Sequence, residues 1–548
     1  GVPHRPTFVT SFAQFVDRFG GFEANSFGAY MVKGFFDNGG RRAWISRIAS
    51  TSDEPTPAAA TLRQTAANNS PALLRVTAGY RGTPDPGPWA NGHQVHLAPS
   101  FATRVQTPNP ELSATSARLE TVAGFARDDV VVVSAGNARQ AVTLTAVDPG
   151  TRTITWTPAL TTPADFPAET TRVSSADLDL WIVDPAGDTL ETFGRLSLDE
   201  TAPNYALTVL NDPGRGSKLV TVSEARAADA AKVATDAPVA EQFRTLANGD
   251  SPDVAAAVFI GSAEDRTGLT AFDPDDVQLL TAERTDRNVV LAALDYAAAR
   301  GDCMYVGSVA QAAVSAGTAV EDGAGLQGAK VYGALYGPWI LVNDPLSRAA
   351  NPTAWVPPSG HVMGIYARIE STRGIHKAPA GDEARVFGAL DVEYRLSDAE
   401  HTDLVERGSV NGIRVVPGAG IVVDASRTLS TDVRWRYVNV RLLFNYVKSS
   451  LRQGLRWVRQ EPNRDTLWTA VKYGSVRPFL LGLWRQGAFG TGEPDDVFTI
   501  VCDETNNPPE QVDLGNFAVD VTFYPSKPAE TIVIRVGQQP SGSSAAEA

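Results

Sequence analysis

Residues Pro357 to Gly381 read PPSGHVMGIYARIESTRGIHKAPAG, and the surroundings this stretch requires decide the fold. Val362, Met363, Ile365, Tyr366 and Ile369 recur at helical spacing and form a wide apolar face, which predicts a helix packed into a core. Ser359 stands where it would cap the start of that helix, and Gly374 marks its end. The loop Gly374 to Gly381 then mixes small residues, Pro379 and the cations His376 and Lys377. Those two have the residue types of an acid–base pair. Neither a nucleophile nor a carboxylate stands at a motif spacing from them, so a structural or interface role is the expectation.

Working outward, Gly1 to Ser50 reads as α/β. An apolar strand is predicted at Thr7 to Val9, a helix opened by Ser11, a second helix through Ala29 to Phe36 and a strand at Ala43 to Ile48. After Ser50 the character changes. Thr51 to Ala67 is rich in Thr, Ala and Pro, and the following stretch holds short β-type runs at Val130 to Ser134, Ala141 to Val147, Thr151 to Thr157 and Leu178 to Val183. Gly and Pro punctuate these runs, which predicts a β-sandwich or barrel-like insertion with an acidic balance. Helix and strand alternate again from Asp253: a strand at Ala255 to Ile260, a helix over Arg287 to Arg300, and strands at Cys303 to Gly307 and near Ala329 to Leu335. From Pro357 onward come helices, a hairpin-like pair around Pro417 to Gly420, two long helices and a closing strand pair.

Other segments line up with the opening one in a recognisable order. They are GVPHRPTFVTSFAQFVDRFGGF (Gly1 to Phe22), YMVKGFFDNGGRRAWISRI (Tyr30 to Ile48), VYGALYGPWILVNDP (Val331 to Pro345), NGIRVVPGAGIVVDASRTLS (Asn411 to Ser430), WRYVNVRLLFNYVKSSLRQGLRWVRQEPN (Trp435 to Asn463) and FAVDVTFYPSKPAETIVIRV (Phe517 to Val536). Together with Pro357 to Gly381 they resemble contractile tail sheath proteins, the outer-tube subunits of contractile phage tails, tailocins and extracellular contractile injection systems. Thr51 to Asp250 carries no such likeness. The resemblance implies an α/β (α+β) multidomain chain. Its parts would be a discontinuous α/β middle domain (1–50 with 251–350), a β-rich surface insertion (51–250), a C-terminal assembly domain (351–537) and a flexible tail (538–548). It also implies a structural subunit that turns over no substrate and uses no cofactor or metal. Its partners would be copies of itself in stacked rings, an inner tube protein, and baseplate and terminal cap proteins. The chain starts at Gly1 rather than Met, and the resemblance implies an N-terminal arm upstream.

Composition agrees with that class. A length of 548 residues with 43% hydrophobic and 20% charged residues describes an ordinary globular protein of roughly three or four domains. The two cysteines, Cys303 and Cys502, match no metal or redox spacing and read as buried thiols. No apolar run approaches the roughly 20 residues of a membrane span, and no signal-peptide pattern is present, so assembly in a bacterial cytoplasm without membrane insertion is expected. A formal net charge of −14 argues against a nucleic-acid binder.

Several motifs are weaker than they look. Gly323-Ala-Gly-Leu-Gln-Gly328 matches GxGxxG and would support the alternative of a nucleotide-dependent α/β enzyme. That chemistry needs a strand before the glycines and a helix after them. Here the exit is β-rich, and a flexible loop is expected. His93 and His96 stand in a Gly/Pro-rich stretch without neighbouring ligands. Asp273-Pro-Asp-Asp276 and Glu493-Pro-Asp-Asp496 read as capping loops.

Two features are expected to serve assembly. From Val433 to Gln460 the chain is free of Asp and Glu, and on a helix Arg441, Lys448, Arg452, Arg456 and Arg459 share a stripe roughly 80° wide beside an apolar face. Cations aligned in this way repel unless an anionic partner is present. By the resemblance, that partner is the acidic surface of an inner tube. The second feature is the closing strand Thr531, Ile532, Val533, Ile534, Arg535 and Val536, which the resemblance assigns to pairing with a neighbouring subunit by β-augmentation.

Overall fold

A computed structural model describes residues 3–23, 26–49, 56–107, 110–226, 236–250, 254–347 and 350–530, together with the backbone of 537–538 and 545–546. The chain forms two compact units, Gly1–Arg5 with Arg47–Ala255, and Pro6–Ser46 with Ala256–Ala548.

The second unit is built on a five-stranded sheet in the order Leu279–Leu280, Met304–Ser308, Gly333–Gly337, Val410–Val416, Gly420–Val423. The first four strands run parallel and the last pair is antiparallel. Its strands are nearly continuous apolar runs because both faces are covered. Cys303, Tyr305 and Leu335 pack with the helix Arg287–Arg300 on one side. Met304, Val306, Ala334 and Tyr336 pack on the other with Val362, Ile365, Tyr366 and Ile369 of the helix Ser359–Arg373.

In chain order we name the helices α1 (Phe12–Phe19), α2 (Gly28–Asp37), α3 (Arg287–Arg300), α4 (Ser359–Arg373), α5 (Asp398–Gly408) and α6 (Val438–Gly454). Ser11 caps α1 by accepting from Gln14 N, as its position predicts. At the start of α2 the N-cap residue Phe27 offers no side-chain cap, and the only local acceptor among the described residues is Ser26 Oγ, 3.1 Å from Gly28 N. One oxygen of Glu283, some 255 residues away, accepts from Ser26 Oγ at 2.7 Å and from the amides of Phe27 and Gly28 at 2.9 Å. A carboxylate at a helix N-terminus satisfies orphan amides and faces the positive end of the helix dipole.

In the C-terminal part, α6 packs on a continuous rod made of Asp465–Thr469, Ala470–Val476 and Arg477–Arg485, against the two-stranded sheet Phe498–Val501 with Asp520–Phe523. The buried rod residues Leu467, Val471, Val476, Leu480 and Leu483 include one five-residue step. That step coincides with a π-helical turn. Pro478 lies just beyond it and lacks the amide an α-helix would use there.

The first unit is β-rich. Ala102–Arg104, Arg172–Ser175, Val130–Ala135, Ala138–Asp148, Thr153–Thr157 and Ser116–Arg118 follow one another in a sheet. The bridge Val105 to Leu119 joins its two ends into a closed barrel around Phe125, Leu144, Ile154 and Trp156. Two further sheets, one centred on Gln94–Pro99 and Leu178–Val183 and the other on Ala72–Tyr80, share a separate core.

Several expectations need correction. Ala255 to Ile260 is not a strand, since Ala256–Ile260 is helical. A short apolar run cannot be assigned by periodicity, and its alanines favour helix. Gly323 to Gly328 does not begin as a flexible loop, because the helix Ala319–Ala324 runs into it. A Cβ on Gly323 would lie 2.2 Å from the Gly408 carbonyl oxygen, so that glycine serves close helix packing. The glycines follow a helix instead of preceding one and offer a phosphate the wrong end of the dipole. Ser359 does not cap α4 either. It is the first helical residue, fully buried, and its own amide donates to Ser308 Oγ at 3.1 Å.

Candidate assembly face of the C-terminal domain

The loop after α4 is fixed by its neighbours. Gly374 ends the helix with φ of +96°, a conformation that favours glycine. The amide of Gly381 donates to the Val423 carbonyl at 2.8 Å, tying the loop to the edge of the five-stranded sheet. Between them, Asn439 of α6 donates to the His376 carbonyl at 2.7 Å and to the Ser526 carbonyl at 3.2 Å. Ser526 is held in turn by its hydroxyl, which bonds the carbonyls of Gly487 and Phe489. His376 thus contributes its backbone to the fold, while burial and nearby Arg373 hold its imidazole below the ordinary value. Lys377 donates to the Ala378 carbonyl. This buried amide linking three segments had no sequence signal, since one Asn on an otherwise apolar helix face resembles a surface residue.

The cationic stripe is divided by the structure into three parts. Arg441 is only 3% exposed. Its guanidinium carbon lies 3.8 Å from the Tyr332 ring centroid and 4.0 Å from that of Trp435, a two-sided cation–π clamp. Lys448 and Arg452 are exposed along their length but anchored at their heads. Lys448 donates to the Gly301 carbonyl at 2.9 Å, and Arg452 pairs with Asp302 at 3.0 Å. Gly301 is the left-handed C-cap of α3, so these cations meet the negative end of that helix as well as a carboxylate already paired with Arg300. For Lys448 and Arg452 an internal acceptor and an internal carboxylate are therefore supplied by the chain itself. Arg456 and Arg459 are exposed, and no ion pair or hydrogen bond joins their side chains to other groups among the described residues. They do not continue the α-helical stripe, because α6 ends at Gly454 and Arg456–Val458 forms a 3-10 turn. A glycine in the last turn weakens the helix there.

Of the two closing strands only the first lies among the described residues. Asp520–Phe523 pairs antiparallel with Phe498–Val501, and the sheet contains only these two strands among the described residues. Residues Thr531 to Val536 lie outside the described residues. Just before them, Glu530 is held by Arg427 Nη2 at 2.9 Å and Tyr437 Oη at 3.0 Å. That anchor was also invisible in the sequence, because its partners lie about 100 residues upstream.

The other motifs have local explanations. His96 stacks between Trp181 and Phe243, each ring centroid 5.1 Å away, and lies 3.0 Å from a Glu241 oxygen. Asp273 accepts from Tyr296 Oη at 2.8 Å, and Asp276 from Gln453 at 2.7 Å. Burial pushes the Cys303 thiol up to about 12 and the Cys502 thiol up to about 11, and neither cysteine is in a disulfide.

Comparison with known proteins gives a consistent picture. Residues 430–539 match the family model described as the phage tail sheath C-terminal domain. A tail sheath protein of Vibrio phage KVP40 is 26% identical over 182 residues, covering 33% of this chain and 26% of that protein. The tail sheath protein of enterobacteria phage T4 is 24% identical over 180 residues, 32% of this chain and 26% of the other. The chain thus matches about a quarter of the length of these relatives. Among solved structures, the sheath tail protein of Desulfitobacterium hafniense shares the fold with a TM-score of 0.50. It is 10% identical, and the alignment covers 92% of this chain and 87% of that one.

Proposed function

We propose that this chain, whose residues 430–539 belong to the phage tail sheath C-terminal domain family, is the structural subunit of a contractile sheath. Many copies stack as rings around an inner tube between a baseplate and a terminal cap, assemble in a bacterial cytoplasm, and contract to drive the tube through a target envelope. No turnover of substrate is needed. The work comes from the lower free energy of the contracted lattice.

The observation that carries this reading is the two-stranded sheet Phe498–Val501 with Asp520–Phe523, which lies within the matched family segment. Two strands alone are a marginal sheet in water, and their outer sides can receive strands from other copies by β-augmentation. Glu530 anchors the chain just before Thr531 to Val536, the segment we assign as the donated strand. Removing the residues after Glu530 is expected to leave a folded monomer that forms no polymer in sedimentation or electron microscopy. Normal polymerisation of that truncation would sink the assignment.

For the inner tube we propose Arg456 and Arg459 as the contact, with Lys448 and Arg452 at the margin and Arg441 as an internal support. Exposed cations without partners are available to an acidic surface. The double variant Arg456→Glu, Arg459→Glu is expected to keep the wild-type melting temperature and to lose tube-filled extended particles. Tube loading at the wild-type level would remove the role. The β-rich unit, with two cores of its own, is read as a self-contained surface decoration.

A further inference from the structure

Glu530 ends a short polar path that begins in the middle of the five-stranded sheet. The Arg427 guanidinium takes its carboxylate as a fork, with Nε donating to Oε1 and Nη2 to Oε2, and Oε2 accepts in addition from Tyr437 Oη. The remaining side of the guanidinium is held as well, since Nη1 donates to the Val405 carbonyl of α5 at 3.3 Å. The Arg427 backbone is gripped from both sides by Asn411 of the strand Val410–Val416. Asn411 Oδ1 accepts from Arg427 N at 2.6 Å, and its Nδ2 donates to Arg427 O at 2.8 Å. Asn411 is fully buried, and the same Nδ2 donates to Leu335 O of the adjacent strand Gly333–Gly337 at 3.0 Å. Three side chains, Asn411, Arg427 and Glu530, therefore connect the central sheet to the residue from which Thr531 departs.

The chemistry of this path suits positioning better than stability. The side chains of Arg427 and Glu530 are only 13% and 28% exposed. An ion pair so far withdrawn from water contributes little net stability, because desolvation of both partners offsets their attraction. Its forked geometry nevertheless fixes a distance and an angle. The apolar core shared by α6, the rod and the two-stranded sheet includes no residue beyond Phe523. Beyond that point the chain is placed by polar ties, first at Ser526 and then at Glu530. A strand whose root is already fixed loses less freedom when it pairs with another copy.

We propose that Arg427 and Glu530 are positioning residues for assembly, which fix the root of the donated strand on the central sheet. This rests on the β-augmentation reading above. The test uses the full chain with a nitroxide attached through Ala529→Cys, the two native thiols being buried. The label is expected to be restrained in the monomer and to be freed by Glu530→Gln, which keeps the shape of the side chain and removes its charge. The same variant should keep the wild-type melting temperature and raise the concentration needed for polymerisation by about tenfold. Arg427→Lys, which keeps the charge without the fork, should behave in the same way. Wild-type thresholds in both variants would overturn the proposal. So would a fall in melting temperature that accounts for the lost polymer, since the pair would then be a stabilising contact only. If either variant does not fold, Tyr437→Phe decides by removing a single hydroxyl: a raised threshold at unchanged melting temperature supports the tether, and an unchanged threshold overturns it. A wild-type chain that never polymerises would overturn the sheath reading and the tether with it, whereas a polymerising wild type whose label is equally mobile with and without the pair overturns the tether alone.

Discussion

Arg441→Ala is expected to destabilise the subunit by about 3–5 kcal/mol, although the same substitution at Arg456 or Arg459 should leave stability unchanged. The guanidinium fills the space between Tyr332 and Trp435 and is almost wholly buried. Truncation removes two desolvated cation–π contacts and leaves a cavity between the rings. Burial holds the Arg441 pKa below its ordinary value, so the site is already costly for a charge and depends on the rings to offset that cost. Arg441→Lys should recover only part of the loss, because an ammonium cannot stack as a plane on both rings. Chemical denaturation of these four variants checks the ranking. Equal stability of Arg441→Ala and wild type would show that the clamp contributes nothing.

Acidification is expected to weaken the subunit through His361, by up to about 3 kcal/mol once the pH is below 4. The imidazole is buried in α4 against Gly34 of α2, where a Cβ would lie 2.3 Å from the ring. Its Nδ1 has no hydrogen-bond partner. Burial lowers its pKa to about 4, with smaller opposing effects of Asp37 and Lys33. The unfolded chain takes up a proton near pH 6.5, while the folded chain resists until about pH 4. Stability is therefore unaffected above pH 6.5, falls between these values and levels off below the folded pKa. Glu400 and Asp432, held down to about 2 by hydrogen bonds from Ser397 and Arg434, begin to weaken the fold as the pH falls past their ordinary carboxylate values, at the lower end of the His361 window, and continue to do so down to about pH 2. Half-buried His93, His376 and His401 are lowered too, so the comparison has to be with His361→Gln measured at each pH. The stability gap between that variant and wild type should shift in favour of the variant by about 3 kcal/mol from pH 7.5 to pH 4. A constant gap across that range would count against the assignment.

The alternation of layers and the amphipathic helices were legible from the residues because they depend on local periodicity, while the likeness to tail sheath proteins lay in the order of whole segments. The apolar face of Pro357 to Gly381, the cap at Ser11 and the span Arg287 to Arg300 each follow from spacing along one segment. The partners of polar groups were not legible, because they depend on which distant segments the fold brings together. The cationic stripe shows this best. Its spacing was visible, yet the sequence could not reveal that the helix ends before Arg456, that Arg441 sits between two rings, or that the end of α3 and Asp302 meet Lys448 and Arg452 from within. Asn38, Asn439 and Glu283 are of the same kind, since each is a polar side chain without local pattern that becomes a tie only in the tertiary structure. Periodicity records which face of an element is buried. What that face and its polar neighbours touch is set by chain topology, and in this protein topology alone separated Arg441, Lys448 and Arg452, which bond within the subunit, from Arg456 and Arg459, which make no ion pair among the described residues.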